Sequence, residues 1–184
     1  MDQRKPVLLY GATGYTGEGI ANFLLKAGIR PVLAGRNRQK LEALGKQLAL
    51  EYEVLDIHDF EQARRMLGGY GVLLNSAGPI DHTSARLLDA CMHTGTHYLD
   101  VPPEIKVYDY LLSRNQEAHD AGIMVMPGIG LDMVPADCLA LLVKERLPDA
   151  SALHVAYKIE RSMSRGTMRS AQLAFGAGVF ARGQ

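Results

Sequence analysis

The sequence predicts an α/β fold: a Rossmann-type doubly wound parallel sheet followed by the start of a second, mixed-sheet domain. Three observations carry that expectation. Short apolar runs without clean alternation recur through residues 6–126. Helix-length segments with apolar spacing of three and four lie between them. The first apolar run passes straight into a glycine loop that opens a helix. Runs apolar on both faces suit strands of a parallel sheet covered on both sides, and strands alternating with helices make βα units.

The first strand is 6–10, built on Val7-Leu8-Leu9-Tyr10. Helix 15–27 follows, its inner face made by Ile20, Phe23, Leu24 and Ala27, and Gly28 ends it. Strand 31–34 opens on Pro31, where a missing N–H is tolerated. Helix 37–48 repeats the pattern with Leu41, Leu44 and Leu48, and strand 52–55 comes next. Helix 59–67 stops at Gly68-Gly69 before strand 72–75. Helix 82–93, strand 97–99, helix 104–120 and strand 123–126 complete the series, with Gly122 between the last two. Gly28, Gly68-Gly69 and Gly122 stand where left-handed helix caps are expected. Right-handed crossovers place alternate helices on opposite faces, with strand order 3-2-1-4-5-6.

After Met126 the pattern changes. Pro127-Gly128-Ile129-Gly130 is a loop, and 135–147 reads as a helix with Pro135 in its first turn. Residues 153–160 alternate between apolar and polar, as in a strand wet on one face. We therefore expect a first domain over residues 1–134 and an incomplete second domain over 135–184. Strand 153–160 lacks a partner from its own domain, and a second chain could supply one, so a homodimer is among the expected assemblies.

The 184 residues carry 20 Lys+Arg against 20 Asp+Glu, and a neutral chain lacks the positive field of a general nucleic-acid binder. Only two cysteines are present, Cys91 and Cys138, too few for a disulfide framework; both fall on helical apolar faces and read as core thiols. No signal-peptide layout opens the sequence and no apolar run reaches the ~20 residues of a membrane span. A cytoplasmic enzyme or binding protein without membrane insertion is expected.

The glycine loop is Gly11-Ala12-Thr13-Gly14-Tyr15-Thr16-Gly17. Gly11 allows a tight turn out of the strand. Gly14 lets backbone N–H groups reach a pyrophosphate, and Gly17 lets the helix pack closely on the sheet. Thr13, Tyr15 and Thr16 share that loop and the helix start, where an anion is stabilised. Dinucleotide binding is the reading; a purely structural turn is the alternative. The second strand ends in Gly35-Arg36-Asn37-Arg38 rather than in the carboxylate that meets a free ribose 2′-OH. Arg36 can pair with a 2′-phosphate, so NADP(H) is favoured, with Asn37 beside it. Asp56 after the third strand could meet adenine or cap the next helix. Ala77, Gly78 and Pro79 after the fourth strand should border the nicotinamide.

These blocks occur in one order with Leu33-Ala34-Gly35-Arg36-Asn37, Leu74-Asn75-Ser76-Ala77-Gly78-Pro79, Gly95-Thr96-His97-Tyr98-Leu99-Asp100 and Pro127-Gly128-Ile129-Gly130-Leu131-Asp132. In that order the chain resembles the saccharopine dehydrogenase-like oxidoreductases, and within them the trans-acting enoyl reductases. The resemblance implies an NADP-binding Rossmann domain, a following substrate domain, and NADPH-dependent reduction of a small or lipid-like substrate. A non-catalytic NADP-binding sensor or partner subunit, and a saccharopine-type amine oxidoreductase, remain as alternatives. Reduction often needs a proton donor near the cofactor. His97, Tyr98, Asp100 and Asp132 sit past strand ends in this reading, and Tyr98 or His97 could give a proton. The plainer roles are a bonded core hydroxyl for Tyr98 and turn formation for Asp100 and Asp132. No Tyr-x-x-x-Lys pair exists, because Pro102 stands four after Tyr98. His93 and His97 have the spacing of a helical zinc pair, but Gly95 breaks the helix, and no metal is expected.

Overall fold

A computed structural model describes residues 5–78, 83–101, 105–130 and 133–156. Six strands form one sheet: β1 (Val7–Tyr10), β2 (Val32–Gly35), β3 (Tyr52–Val54), β4 (Val72–Asn75), β5 (His97–Asp100) and β6 (Val125–Met126). Their order is β3-β2-β1-β4-β5-β6 and every pairing is parallel. The helices are α1 (Tyr15–Lys26), α2 (Arg38–Leu48), α3 (Phe60–Leu67), α4 (Ser84–Thr94), α5 (Ile105–Ser113), α6 (Asn115–Asp120) and α7 (Val134–Arg146).

Successive side chains of a strand point to opposite faces, and the core divides accordingly. Leu9 and Leu33 pack with Ala21 of α1 and Leu41 and Leu44 of α2. Leu8, Tyr10, Val32, Ala34, Leu73 and Tyr98 pack with Ala63 and Leu67 of α3, Leu87, Leu88 and Cys91 of α4, Leu111 of α5 and Ala118 of α6. The helices are thus grouped, two on one face and four on the other, and do not alternate as the sequence suggested. Right-handed crossovers explain the grouping. Those running from β1 out to β3 all fall on one face. The return to β4 reverses the direction of travel, and every later crossover falls on the other.

Gly28 closes α1 with φ +78, where Gly28 N–H meets the Leu25 carbonyl and Ile29 N–H the Leu24 carbonyl, the paired bonds of a Schellman cap. Gly68 is right-handed, so the Gly68-Gly69 pair does not form the expected left-handed cap. The expected single helix 104–120 is two. Ser113 Oγ donates to the Tyr110 carbonyl at 2.7 Å, and Arg114 N–H donates back three residues to Leu111. The tightened turn frees the Arg114 side chain to meet Asp89 of α4 at 3.0 Å and Glu117 of α6. Residues 153–156 are not a strand, contrary to the alternation there, and the remainder of 153–160 lies outside the described residues. Alternation alone does not hold an extended segment without a neighbour to share its backbone hydrogen bonds.

Leu73 is fully buried at the centre of the sheet, whereas Phe23 is largely exposed on α1. Leu73→Ala should cost about 2–5 kcal/mol in urea unfolding, and Phe23→Ser no more than about 0.5 kcal/mol. Comparable losses at the two positions would contradict the described core.

Candidate functional site

The chain leaves β1 toward β2 and β3, then returns to β4 on the other side. The loops after β1 and β4 therefore diverge, and the crevice between them at the strand C-termini is where open α/β sheets take ligands. Gly11 N–H and Ala12 N–H both donate to the Ala34 carbonyl, at 2.9 and 3.2 Å, which ties the loop to the end of β2. Gly11 has φ +82, and a Cβ there would stand 2.7 Å from Ala77 N and 2.8 Å from Ala77 Cα. A Cβ on Gly17 would stand 2.3 Å from the Gly11 carbonyl oxygen. Only glycine fits at either position.

Gly14 is the N-cap of α1 and supplies no side chain to its open N–H groups. Its own N–H donates to the Gly11 carbonyl at 3.0 Å, and its carbonyl accepts from Glu18. Thr13 is half-buried; Tyr15 and Thr16 are exposed. A turn packed against its own backbone at Gly11 and Gly17, opening on an uncapped helix start, fits a pyrophosphate.

On the β2–β3 side, Gly35 is buried and Arg36 exposed. Burial raises the pKa of the Tyr10 phenol, while Arg36 opposes that shift and Asp56 adds to it, so the ends of β1, β2 and β3 act on one place. Asn37 caps α2, its Oδ1 accepting Lys40 N–H at 3.0 Å. Asp56 accepts His58 N–H at 3.0 Å in a turn, and the cap of α3 is Asp59.

On the other side Ala77 abuts Gly11, with exposed Gly78 after it, whereas Pro79 lies outside the described residues. Ser76 donates from both N–H and Oγ to the Tyr10 carbonyl, at 2.9 and 2.8 Å, stitching β4 to β1. Asn75 Oδ1 accepts Ala77 N–H at 3.1 Å, and Asn75 Nδ2 donates to Thr83 Oγ1 and Tyr98 Oη. Tyr98 Oη donates to Asp100 Oδ2 at 3.1 Å, and Asp100 Oδ1 accepts Gly128 N–H at 2.8 Å. Asn75, Ser76 and Thr83 were not among the expected site residues. The one signal, for Asn75 and Ser76, was polarity at the end of an apolar strand; Thr83 stands just before α4.

His97 and Tyr98 lie within β5, as the expected strand 97–99 has them, and not past a strand end where a proton donor was sought. His97 begins β5, in register with Val72 at the start of β4, and its Nδ1 accepts Met124 N–H at 2.9 Å. Four extended residues separate the two ends of β5 by roughly 10 Å, which puts His97 at the edge away from the crevice. Tyr98 and Asp100 are fully buried, and Asp132 lies outside the described residues. Tyr98 has the bonded hydroxyl of a core residue. Cys91 is a buried thiol whose pKa burial pushes far up, while Cys138 is exposed on α7 rather than in the core.

Residues 7–126 match the family model described as the saccharopine dehydrogenase NADP binding domain. The chain belongs to that family. NADP(H) is the cofactor of this domain. The chain is 29% identical over 145 residues to a trans-acting enoyl reductase of Mycobacterium tuberculosis, covering 71% of this chain and 33% of that protein. It is 23% identical over 161 residues to the human saccharopine dehydrogenase-like oxidoreductase, covering 77% and 38%. Among solved structures, apo saccharopine dehydrogenase (L-Glu forming) from Saccharomyces cerevisiae superposes with a TM-score of 0.69 at 22% identity, over 79% of this chain and 32% of that one. The chain thus spans about a third of the length of these relatives.

Burial, with Asp100 beside it, holds the Tyr98 phenol well above the usual tyrosine range. The folded chain keeps that proton longer than the unfolded chain does. Its contribution to stability is therefore complete below about pH 10, the unfolded value, and is lost as pH rises through the higher folded value. Tyr98→Phe leaves Asn75 and Asp100 short of a partner and should cost about 1–3 kcal/mol near neutral pH. Urea unfolding across the alkaline range should also show a shallower loss in the variant. Equal slopes for variant and wild type would mean that Tyr98 is not the buried, proton-retaining phenol described.

Proposed function

We propose that this chain is the coenzyme-binding part of an NADPH-dependent oxidoreductase that reduces a small or lipid-like substrate. The observation that carries the reading is the close contact of the Gly11–Gly17 loop with Ala77 at the β1–β4 junction. In this reading the loop and the start of α1 bind the pyrophosphate, and Ala77 and Gly78 line the nicotinamide side. When bound, NADPH supplies the hydride. The names of the mycobacterial and human relatives, an enoyl reductase and an oxidoreductase, support reduction as the reaction class. Residues 135–184 open a substrate domain in this account. Support comes from α7, whose Leu139, Leu141 and Leu142 are each more than half exposed.

Arg36 selects the coenzyme. It follows the buried Gly35, stands free of the sheet, and carries a permanent charge suited to a 2′-phosphate. A charge-assisted hydrogen bond of about 1.5–3 kcal/mol corresponds to roughly 10- to 100-fold tighter binding of NADPH than of NADH. Arg36→Ala should remove most of that gap and leave NADH affinity nearly unchanged. A Cβ on Gly35 would meet only Leu41 methyl groups at 3.9 Å or more, so Gly35→Asp brings no backbone clash at its Cβ. It should go further by repelling the phosphate. Titration of wild type and both variants with each coenzyme tests the assignment. Equal wild-type affinity for the two, or full preference retained in Arg36→Ala, would refute it.

A further inference from the structure

Asn75 is fully buried, so its amide cannot touch a ligand, and whatever it does passes through a neighbour. It ends β4, in register with Tyr10 of β1 on one side and Asp100 of β5 on the other. Its Oδ1 accepts Ala77 N–H at 3.1 Å. Its Nδ2 donates to Thr83 Oγ1 at 3.0 Å and to Tyr98 Oη at 3.2 Å. Thr83 Oγ1 in turn donates to the Ala77 carbonyl at 3.2 Å. Both backbone polar groups of Ala77 are therefore held by side chains, and Ala77 is the residue that Gly11 packs against.

We propose that Asn75 is a positioning residue for dinucleotide binding: with Thr83 it fixes the Ala77–Gly78 wall of the crevice opposite the glycine loop. This deepens the NADP(H) reading and rests on it. The geometry calls for one acceptor and two donors on a single short side chain, which is an asparagine amide. Aspartate would keep the acceptor toward Ala77 and lose both donors. It would also bring a second carboxylate into a buried cluster that already contains Asp100. On its far side the network runs from Tyr98 to Asp100 and on to Gly128 N–H, so the wall is braced against the loop after β6 as well.

The test compares two ligands. NADPH spans the whole crevice. Adenosine 2′,5′-bisphosphate carries the adenosine half and its phosphates but no nicotinamide half. Asn75→Ala should weaken NADPH about tenfold, the worth of one or two net hydrogen bonds, and leave the bisphosphate within about twofold. Thr83→Val should act in the same direction, and Thr83→Ser, which keeps the hydroxyl, should bind NADPH as wild type does. A purely structural role would lower stability and weaken both ligands together. Equal losses for the two ligands, or no loss of NADPH affinity in either Asn75→Ala or Thr83→Val, overturn the proposal. If Asn75→Ala does not fold, the Thr83 pair decides alone. A wild-type chain that binds neither ligand overturns the dinucleotide reading itself, and this proposal with it.

Discussion

At the junction of β1 and β4 the backbone of Gly11 lies so near Ala77 that a Cβ would come within 2.7 Å of its nitrogen. A second close approach follows six residues on, where Gly17 packs over the Gly11 carbonyl. Together they set the height of α1 above the sheet and leave its first turn open. The grouping of the helices follows from the same junction. The chain reverses direction there, so the helices on its two sides are committed to opposite faces. The crevice is the gap that this reversal leaves.

The junction is braced beneath by buried polar groups. Ser76 joins β4 to β1, Asn75 and Thr83 hold Ala77, and Tyr98 with Asp100 carries the chain of bonds to Gly128. Among the described residues no buried side-chain polar atom lacks a hydrogen-bond partner. Such a fully satisfied network holds one geometry, because any displacement strands a donor or acceptor in a medium that cannot replace it. The reaction chemistry in this account belongs to the coenzyme, and the protein's part is orientation.

The fold was legible because parallel-sheet strands advertise themselves by continuous apolar runs, and Gly11, Gly14 and Gly17 mark a turn that no other spacing explains as well. Strand positions and sheet order followed from those signals. The faces of the helices did not, because handedness must be combined with the direction of travel along the sheet. The break at Arg114 was hidden, since Ser113 and Arg114 disturb an apolar pattern only by one turn; what ends α5 is where their side chains reach. Arg36 could be placed just after β2 from sequence alone, but the capping role of Asn37 could not be separated from a ligand role. His97 and Tyr98 were read as proton donors because their type suggested chemistry, while register puts one at the start of β5 and the other in the core. Asn75 showed only as a polar residue closing an apolar strand and Thr83 not at all, because their task depends on a contact between segments that only the folded chain creates.

The central claim is that a dinucleotide seats across the β1–β4 junction. Amide hydrogen exchange of the chain with and without saturating NADPH tests it most directly. The account predicts slowed exchange at the N–H groups of Gly14 to Gly17, at Arg36, and at Ala77 and Gly78. It predicts no change along α6, on the far side of the sheet from the glycine helix. Protection confined to α5 and α6, or an exchange pattern unmoved by NADPH, would contradict it.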